Sequence, residues 1–252
     1  QASLSISVDD STLAFGETAT LSPSGGSGSG AVSFSVDSGD CSVSGTTVTA
    51  TGGTTDCVIS AVKAADDDYL VAAASNTVTI SISKAAQTIT FGSLAGKTYG
   101  AADFSVAASA SSGLAVTFVS NDTDVCTVSG STVTLVSVGT CSLTANQGGS
   151  DDYSSASGVT RTFSVAAKAL TVAVSVSSKV YDRTTAATVS AGVLSGIVSG
   201  DVVSFVPANA AAAFSSATAG DGKTVTVTLD GDELSGAVSS NYSVTVSGSP
   251  SA

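Results

Sequence analysis

Hydrophobic and polar residues alternate along most of this chain. A period of two places successive side chains on opposite faces of a β-strand, so that one face is buried and the other is exposed. The segments that show it are SLSISV (3–8), AVSFSV (31–36), NTVTISIS (76–83), AVTFVS (115–120), RTFSVA (161–166), LTVAVSV (170–176), KTVTVTL (223–229) and YSVTVS (242–247). Clusters of Gly, Ser, Asp and Asn separate them, such as SPSGGSGSG (22–30) and LDGDELSG (229–236). This pattern predicts many short antiparallel strands joined by turns.

No segment has the period of an amphipathic helix. PANAAAAF (207–214) is rich in alanine, which favours helices, but it is short and lacks a capping signal. The expected fold class is therefore all-β, with antiparallel sheets packed as sandwiches.

An internal repeat with a period of roughly 83 residues runs through the chain. DCSVSGTTVTATGGTTDC (40–57) aligns with VCTVSGSTVTLVSVGTC (125–141), and ADDDY (65–69) aligns with SDDY (150–153). These matches define an N-terminal repeat and a middle repeat, and the rest of the chain has a similar length and strand pattern but no cysteine.

We therefore divide the chain into the N-terminal repeat (1–84), the middle repeat (85–167) and the C-terminal segment (168–252). The junctions SISKAAQ (81–87) and SVAAKAL (164–170) contain neither Pro nor a Gly/Ser run. Such short junctions are expected to couple neighbouring domains rather than let them move freely.

Composition narrows the classes of function. The 252 residues include 8 Lys or Arg and 20 Asp or Glu, a formal net charge of −12. So acidic a chain repels phosphate backbones and anionic membrane surfaces, and no apolar run approaches a membrane span. We therefore expect no nucleic-acid partner and no membrane insertion. The chain has no His, which removes the commonest general base and metal ligand, and we predict no catalytic residue and no enzyme.

The four cysteines form one pair in each repeat: Cys41 with Cys57, and Cys126 with Cys141. Zinc sites use four closely spaced Cys or His ligands, and thioredoxin-like pairs use Cys-x-x-Cys; neither pattern occurs here. We predict two disulfides, with free buried thiols or a metal or redox pair as alternatives. Each bridge closes a loop that a hairpin can bring together and stabilises the fold by about 3 kcal/mol. Persistent disulfides indicate an oxidising compartment, so we expect the protein to lie outside the cytoplasm.

Aspartates in matching positions of the two repeats are the candidate metal ligands: Asp66, Asp67, Asp68, Asp151 and Asp152. Carboxylate oxygens bind calcium in many extracellular proteins. The preferred interpretation is a polar turn anchored by Tyr69 or Tyr153, because no complete calcium motif is present. We therefore predict no cofactor and no metal site, with calcium as the alternative.

A second acidic turn, DGDE (230–233), pairs carboxylates as glycosidases do. The chain has no Trp and few aromatic residues to line a sugar cleft, so we do not expect this activity.

Longer strings resemble known domains. QTITFGSLAGKTYG (87–100), DFSVAASASSGLAVTF (103–118) and DDYSSA (151–156) resemble the MBG-type immunoglobulin-like repeats of large bacterial surface proteins. The N-terminal repeat resembles the same group through TLAFGETATLSPSGGSGSGAVSFSV (12–36) and AADDDYLVAAASNTVTISI (64–82). The C-terminal segment resembles the sister YDG domain through KVYDRTT (179–185), LSGIVSGDVV (194–203) and SSNYSVTV (239–246).

This resemblance covers essentially the whole chain. It implies three tandem immunoglobulin-like antiparallel β-sandwiches in an extended array, within a repetitive, secreted, adhesin-like protein, and it implies no catalytic residue. One departure stands out, because Arg183 replaces the Gly that follows Tyr-Asp in the YDG pattern. If that position has a positive φ, the Arg is strained; otherwise the turn has another shape.

The function expected from these observations is mechanical: a non-enzymatic spacer or stalk in a bacterial surface adhesin or extracellular fibre. Its partners would be neighbouring domains of the same chain or identical subunits. One alternative is a subunit that assembles into a filament or surface layer, with SLSISV (3–8) adding as an edge strand to the next subunit. A second is a binding domain that recognises a cell-surface glycan or protein through loops at one sandwich end. Since QASLSISVDD (1–10) lacks the regions of a signal peptide, we expect a mature or excerpted segment.

Overall fold

The computed structural model describes residues 2–252 and divides into two compact units. The first contains the chain up to Phe91 together with Ala108–Thr117 and Ala145–Val159. The second contains Gly92–Ala107, Phe118–Thr144 and Thr160–Ala252. Strands build both units, which confirms the all-β class. The three-domain division at residues 84 and 167 stays a prediction.

The strands up to residue 146 are β1 (Leu4–Val8), β2 (Thr12–Ala14), β3 (Thr18–Gly25), β4 (Val32–Ser38), β5 (Cys41–Ser44), β6 (Thr47–Ala50), β7 (Cys57–Lys63), β8 (Ala72–Ala73), β9 (Val78–Ser83), β10 (Ile89–Phe91), β11 (Lys97–Thr98), β12 (Phe104–Ser105), β13 (Ala108–Ala110), β14 (Thr117–Ser120), β15 (Cys126–Ser129), β16 (Thr132–Leu135) and β17 (Gly139–Asn146).

The remaining strands are β18 (Val159–Ala166), β19 (Lys168–Ser177), β20 (Ala186–Ser195), β21 (Ser204–Phe205), β22 (Ala211–Phe214), β23 (Val225–Thr228), β24 (Leu234–Ser235) and β25 (Tyr242–Val246). Within residues 2–252 the only helices are two 3-10 turns, Pro207–Asn209 and Ser239–Asn241.

In the first unit, two sheets pack face to face. One has the strand order β1-β3-β6-β5, and the other has the order β2-β9-β7-β4 with β8 on β7. Strand β9 shows why the sequence folds this way, since Val78, Ile80 and Ile82 are buried while the alternate residues are exposed. Both sheets turn such faces into one core, which is the arrangement of a β-sandwich. A two-stranded sheet, β10-β13, also belongs to this unit.

The second unit contains four sheets. Their orders are β11-β18-β17-β14, β12-β16-β15, β23-β22-β20-β19-β25 and β21-β24. The first two of these sheets pack against each other. At their contact, the ring of Phe104 on β12 packs edge to face on that of Phe163 on β18, with ring centroids 5.7 Å apart. The end residues of β14, β17 and β18 fall in the first unit.

Some strand pairs within residues 2–252 are parallel, although the pattern predicts antiparallel sheets. They are β2 with β9, β11 with β18, and β19 with β25. Alternation reports only which face of a strand is buried, so it does not distinguish the two directions of pairing. Parallel pairing brings the carboxyl ends of β2 and β9 to the same edge of the sandwich. The carboxyl ends of β11 and β18 are brought together in the same way.

Each of the eight alternating segments contains a strand, but two other segments differ from expectation. The separator SPSGGSGSG begins within β3, because β1 pairs with the residues as far as Gly25. The alanine-rich segment at 207–214 forms one 3-10 turn and then β22, which pairs with β20 and β23. Pairing on both sides outweighs the weak helix propensity of a short alanine run.

Candidate functional site

Each disulfide joins the two sheets of one sandwich. Cys41 on β5 is bonded to Cys57 on β7, and Cys126 on β15 is bonded to Cys141 on β17. The two strands of each pair belong to different sheets. The hairpin β5–β6 therefore does not close the bridge by itself, because the chain crosses to the opposite sheet before Cys57. No free cysteine occurs among the described residues.

The N-terminal repeat contacts the middle repeat through an aromatic pair. Phe15 follows β2 directly, and its N–H donates to Ser83 O at 2.9 Å, beside the point where the chain leaves β9. Its ring packs edge to face on Tyr153, with centroids 5.3 Å apart and an interplanar angle of 76°. We call this contact the first joint.

Backbone contacts surround the first joint. Ala85 N donates to Asp152 O at 2.9 Å, and Lys84 Nζ donates to Ser150 O at 2.6 Å. A Cβ atom at Gly53 would lie 2.6 Å from Asp151 O and 3.1 Å from Lys84 Cα. A side chain at Gly53 would therefore push the two repeats apart.

The middle repeat contacts the C-terminal segment through a second aromatic pair, the second joint. Tyr99 follows β11 directly, and its N–H donates to Ala166 O at 2.8 Å. Its ring packs edge to face on Tyr242, with centroids 5.4 Å apart and an interplanar angle of 84°. Both phenol groups donate to Asp201, from Tyr99 Oη at 3.0 Å and from Tyr242 Oη over a short contact.

Further polar contacts complete the second joint. Val138 N donates to Asn241 Oδ1 at 2.9 Å, and Val198 N donates to the Tyr242 hydroxyl at 3.0 Å. Asn241 is 3% exposed, and the two tyrosines are 6% and 8% exposed. This joint is therefore a buried polar network built around one aromatic contact.

The electrostatics of the second joint favour neutral phenols. Burial and the hydrogen bond to Asp201 raise the pKa of Tyr242 to about 12. The same two causes raise the pKa of Tyr99. Both tyrosines therefore stay protonated donors well above neutral pH.

The two joints are built from equivalent sequence positions. The strings LAFGE (13–17) and KTYGA (97–101) each supply an aromatic residue that follows the strand. The strings SDDYS (150–154) and SSNYS (239–243) each supply the tyrosine that packs on it, preceded by Asp152 or Asn241. The sequence signals of a joint are therefore an aromatic residue followed by Gly and a Tyr preceded by Asp or Asn. Of these, only the turn that contains Tyr69 or Tyr153 was interpreted from the sequence.

The candidate calcium ligands take part in turns. Asp66 Oδ1 accepts hydrogen bonds from Asp68 N at 3.1 Å and Tyr69 N at 2.8 Å, and its other oxygen accepts from Ser29 N and Oγ. Asp67 and Asp68 are exposed. Within residues 2–252, no three His, Cys, Asp or Glu side chains are grouped so that they could hold a metal ion.

In the middle repeat, the matching aspartates lie in the first joint. Asp152 contributes its backbone oxygen to Ala85, and the Asp151 oxygen lies against Gly53. The structure thus places these residues at the contact between repeats.

The acidic turn at 230–233 has a structural arrangement. Glu233 is fully buried, and its carboxylate accepts hydrogen bonds from the N–H groups of Asp230 and Gly231. Its backbone oxygen accepts from Val206 N at 2.7 Å. This carboxylate holds the turn and does not face a cleft as a glycosidase acid would.

Strand β1, the proposed edge for strand addition, is already bonded along its outer side. Leu4 O accepts from Ser75 N at 2.8 Å, and Ile6 exchanges two hydrogen bonds with the Asn76 side chain. These groups are not available to a strand from another subunit.

The turn around Arg183 keeps a left-handed backbone. Arg183 has φ of 64°, and it is the only non-glycine residue with a positive φ among the residues described. Of the two alternatives, the strained Arg is the one observed, and the Gly-type turn shape is retained. Lys179 and Thr184 stabilise this turn through hydrogen bonds to Asp182.

Comparison with known proteins identifies one part of the chain. The YDG domain family matches residues 166–251, so the predicted YDG-type domain is confirmed there. No curated protein matches the chain. No helix within residues 2–252 is long and apolar enough to cross a membrane.

Several solved structures are similar at low scores. Drosophila N-cadherin EC1-4 shares 11% identity over 98% of this chain and 75% of its own, with a TM-score of 0.30. The S-layer protein rSbsC(31-844) shares 15% identity over 98% of this chain and 40% of its own, with a TM-score of 0.30. A C-terminal intimin fragment in complex with the Tir intimin-binding domain shares 20% identity over 69% of this chain and 66% of its own, with a TM-score of 0.23.

Proposed function

We propose that this chain is a non-enzymatic spacer segment of a bacterial extracellular or cell-surface protein. In this proposal, residues 1–167 form two MBG-type sandwiches ahead of the YDG domain, and the aromatic joints hold successive sandwiches in a fixed arrangement. The observation that carries the proposal is the recurrence of the joint. Equivalent residues make the Phe15–Tyr153 and Tyr99–Tyr242 contacts, with nearly the same centroid distance.

A recurring joint suits a spacer because it transmits geometry from one domain to the next. A flexible linker of similar length would let the domains reorient. The disulfides Cys41–Cys57 and Cys126–Cys141 support the same role, since each holds two sheets together and persists in an oxidising compartment. The extracellular location is part of the proposal.

Small-angle X-ray scattering on the monodisperse protein tests the spacer role. A compact globule of this length has a radius of gyration of about 18 Å. Three sandwiches end to end, each about 35–40 Å long, require about 30 Å or more. We expect the larger value, and a value near 18 Å would overturn the proposal.

The joints are tested in the same experiment with a double variant, Tyr153→Ala with Tyr242→Ala. Loss of both aromatic contacts should broaden the distribution of interatomic distances, because the sandwiches can then reorient. Val193→Ala is the control, since Val193 is 69% exposed and lies outside both joints. An unchanged distribution in the double variant would show that the joints do not set the geometry.

A further inference from the structure

The N-terminal repeat and the C-terminal segment each expose one half of the joint. Tyr69 is equivalent to Tyr153, because ADDDY (65–69) aligns with SDDY (150–153). Tyr181 is equivalent to Tyr99, because KVY (179–181) aligns with KTY (97–99). We propose that Tyr69 of one copy of this chain packs on Tyr181 of a second copy, so that the joint seen twice within the chain also forms between chains.

Exposure separates the open halves from the closed ones. Tyr69 and Tyr181 are 41% and 58% exposed, whereas Tyr99 and Tyr242 are 8% and 6% exposed. The two tyrosines of the second joint are thus buried, whereas the rings of Tyr69 and Tyr181 are accessible.

The Tyr69 turn already has the conformation that Tyr153 has in the first joint. Asp66 N donates to Tyr69 O at 2.9 Å, and Ser150 N donates to Tyr153 O at the same distance. The side chains at the first position also act alike, since Asp66 Oδ1 and Ser150 Oγ each accept from the N–H group of the tyrosine. Docking of Tyr69 therefore requires no rearrangement of this turn, which lowers the entropic cost of binding.

The open halves are more apolar than the closed ones. Leu70 and Val71 follow Tyr69 and are 81% and 61% exposed, where the middle repeat has Ser154 and Ser155. Val180 precedes Tyr181 and is 92% exposed, where the middle repeat has Thr98. Apolar side chains beside an exposed aromatic ring are typical of a surface that becomes buried by a partner.

A cavity beside Tyr181 provides room for an aromatic side chain. Its volume is about 240 Å³, and Tyr181, Phe214 and Lys223 are among the residues that line it. The cavity is open to solvent, and the polar residues Lys179, Asp182 and Asp221 also line it. Its volume is on the order of that which an aromatic ring occupies.

A second copy is the occupant that these observations favour, because one chain carries both complementary halves. The contact is heterologous, since Tyr69 of one copy meets Tyr181 of the next and each copy keeps one half open. The inference rests on the geometry of the joints and not on the spacer role, which depends on the scattering of the monomer.

Sedimentation equilibrium of the full chain, from about 10 μM to about 1 mM, tests the inference. The weight-average mass of the wild type should rise with concentration above the monomer mass of 24.1 kDa. Tyr69→Ala and Tyr181→Ala should each lower the association constant at least about tenfold, because each lacks one half of the contact. Both positions are exposed, so the variants should fold, and their circular dichroism should match the wild type.

A mixture of the two variants gives the decisive result. Tyr69→Ala retains Tyr181, and Tyr181→Ala retains Tyr69, so an equimolar mixture should form dimers and nothing larger. Val193→Ala is the matched control, because Val193 is 69% exposed but lies outside both halves, and it should associate like the wild type. A wild type that stays monomeric at about 1 mM, a single variant that associates normally, or a mixture that stays monomeric would overturn the inference.

Discussion

Removal of the Tyr153 ring should destabilise the first joint, whereas removal of the equivalent Tyr69 ring should have a small effect. Tyr153 is partly buried and packs on Phe15 at 5.3 Å. An edge-to-face pair contributes about 0.5–1.5 kcal/mol beyond its buried area, and the additional burial contributes about as much again. We therefore expect Tyr153→Ala to cost about 1–2 kcal/mol more than Tyr69→Ala.

Urea unfolding followed by far-UV circular dichroism measures this difference, at a protein concentration near 10 μM where association is negligible. The variant Phe15→Ala and the double variant Phe15→Ala with Tyr153→Ala complete a mutant cycle. We expect a coupling free energy of about 0.5–1.5 kcal/mol between the two rings. A coupling near zero, or equal costs for Tyr153→Ala and Tyr69→Ala, would refute the view that this contact stabilises the junction.

Three further predictions concern the second joint, the disulfides and the strained turn. The pKa of Tyr242, raised to about 12 from 10.0, means that the folded protein holds this proton longer than the unfolded chain, so its contribution to stability is present below pH 10 and is lost between pH 10 and 12. Tyr242→Phe should flatten that part of the profile in pH-dependent thermal melts, and an unchanged slope would contradict the assignment. Replacing Cys41 and Cys57 together by Ser should lower the free energy of unfolding by about 3 kcal/mol. The wild type under reducing conditions is the comparison. A loss below about 1 kcal/mol would show that the inter-sheet bridge adds little. Arg183→Gly should raise the free energy of unfolding by about 1 kcal/mol in urea titrations, because φ is 64° there, and a loss of stability would mean that Arg183 makes a contact that outweighs the strain.

The predicted strands were recoverable from the sequence because alternation is a local property. In β9, each isoleucine and valine reaches the core simply because it lies on the same face as its neighbours two residues away. The spacing of the cysteines likewise limited their chemistry, since neither the zinc nor the redox pattern was present.

The joints were not recoverable in the same way. Tyr99 and Asp201 are 102 residues apart in the chain, and no local pattern relates them. Their contact depends on the parallel pairing of β11 with β18, which brings Tyr99 to the edge where the chain leaves the middle repeat. Glu233 gives a second example, because the sequence DGDE indicates only an acidic turn. The folded chain shows that the Glu233 carboxylate is buried and accepts hydrogen bonds from two backbone N–H groups.

The sequence by itself determined the all-β class, the internal repeat and the limits on the chemistry of the four cysteines, since each depends on residue type, period or spacing. The tertiary structure decided which sheets the disulfides join, which strands run parallel, and which tyrosines are covered by a partner. These features depend on how separate strands and repeats stack. Tyr69 and Tyr153 share the sequence Asp-Asp-Tyr and the same backbone turn, but Phe15 packs against Tyr153.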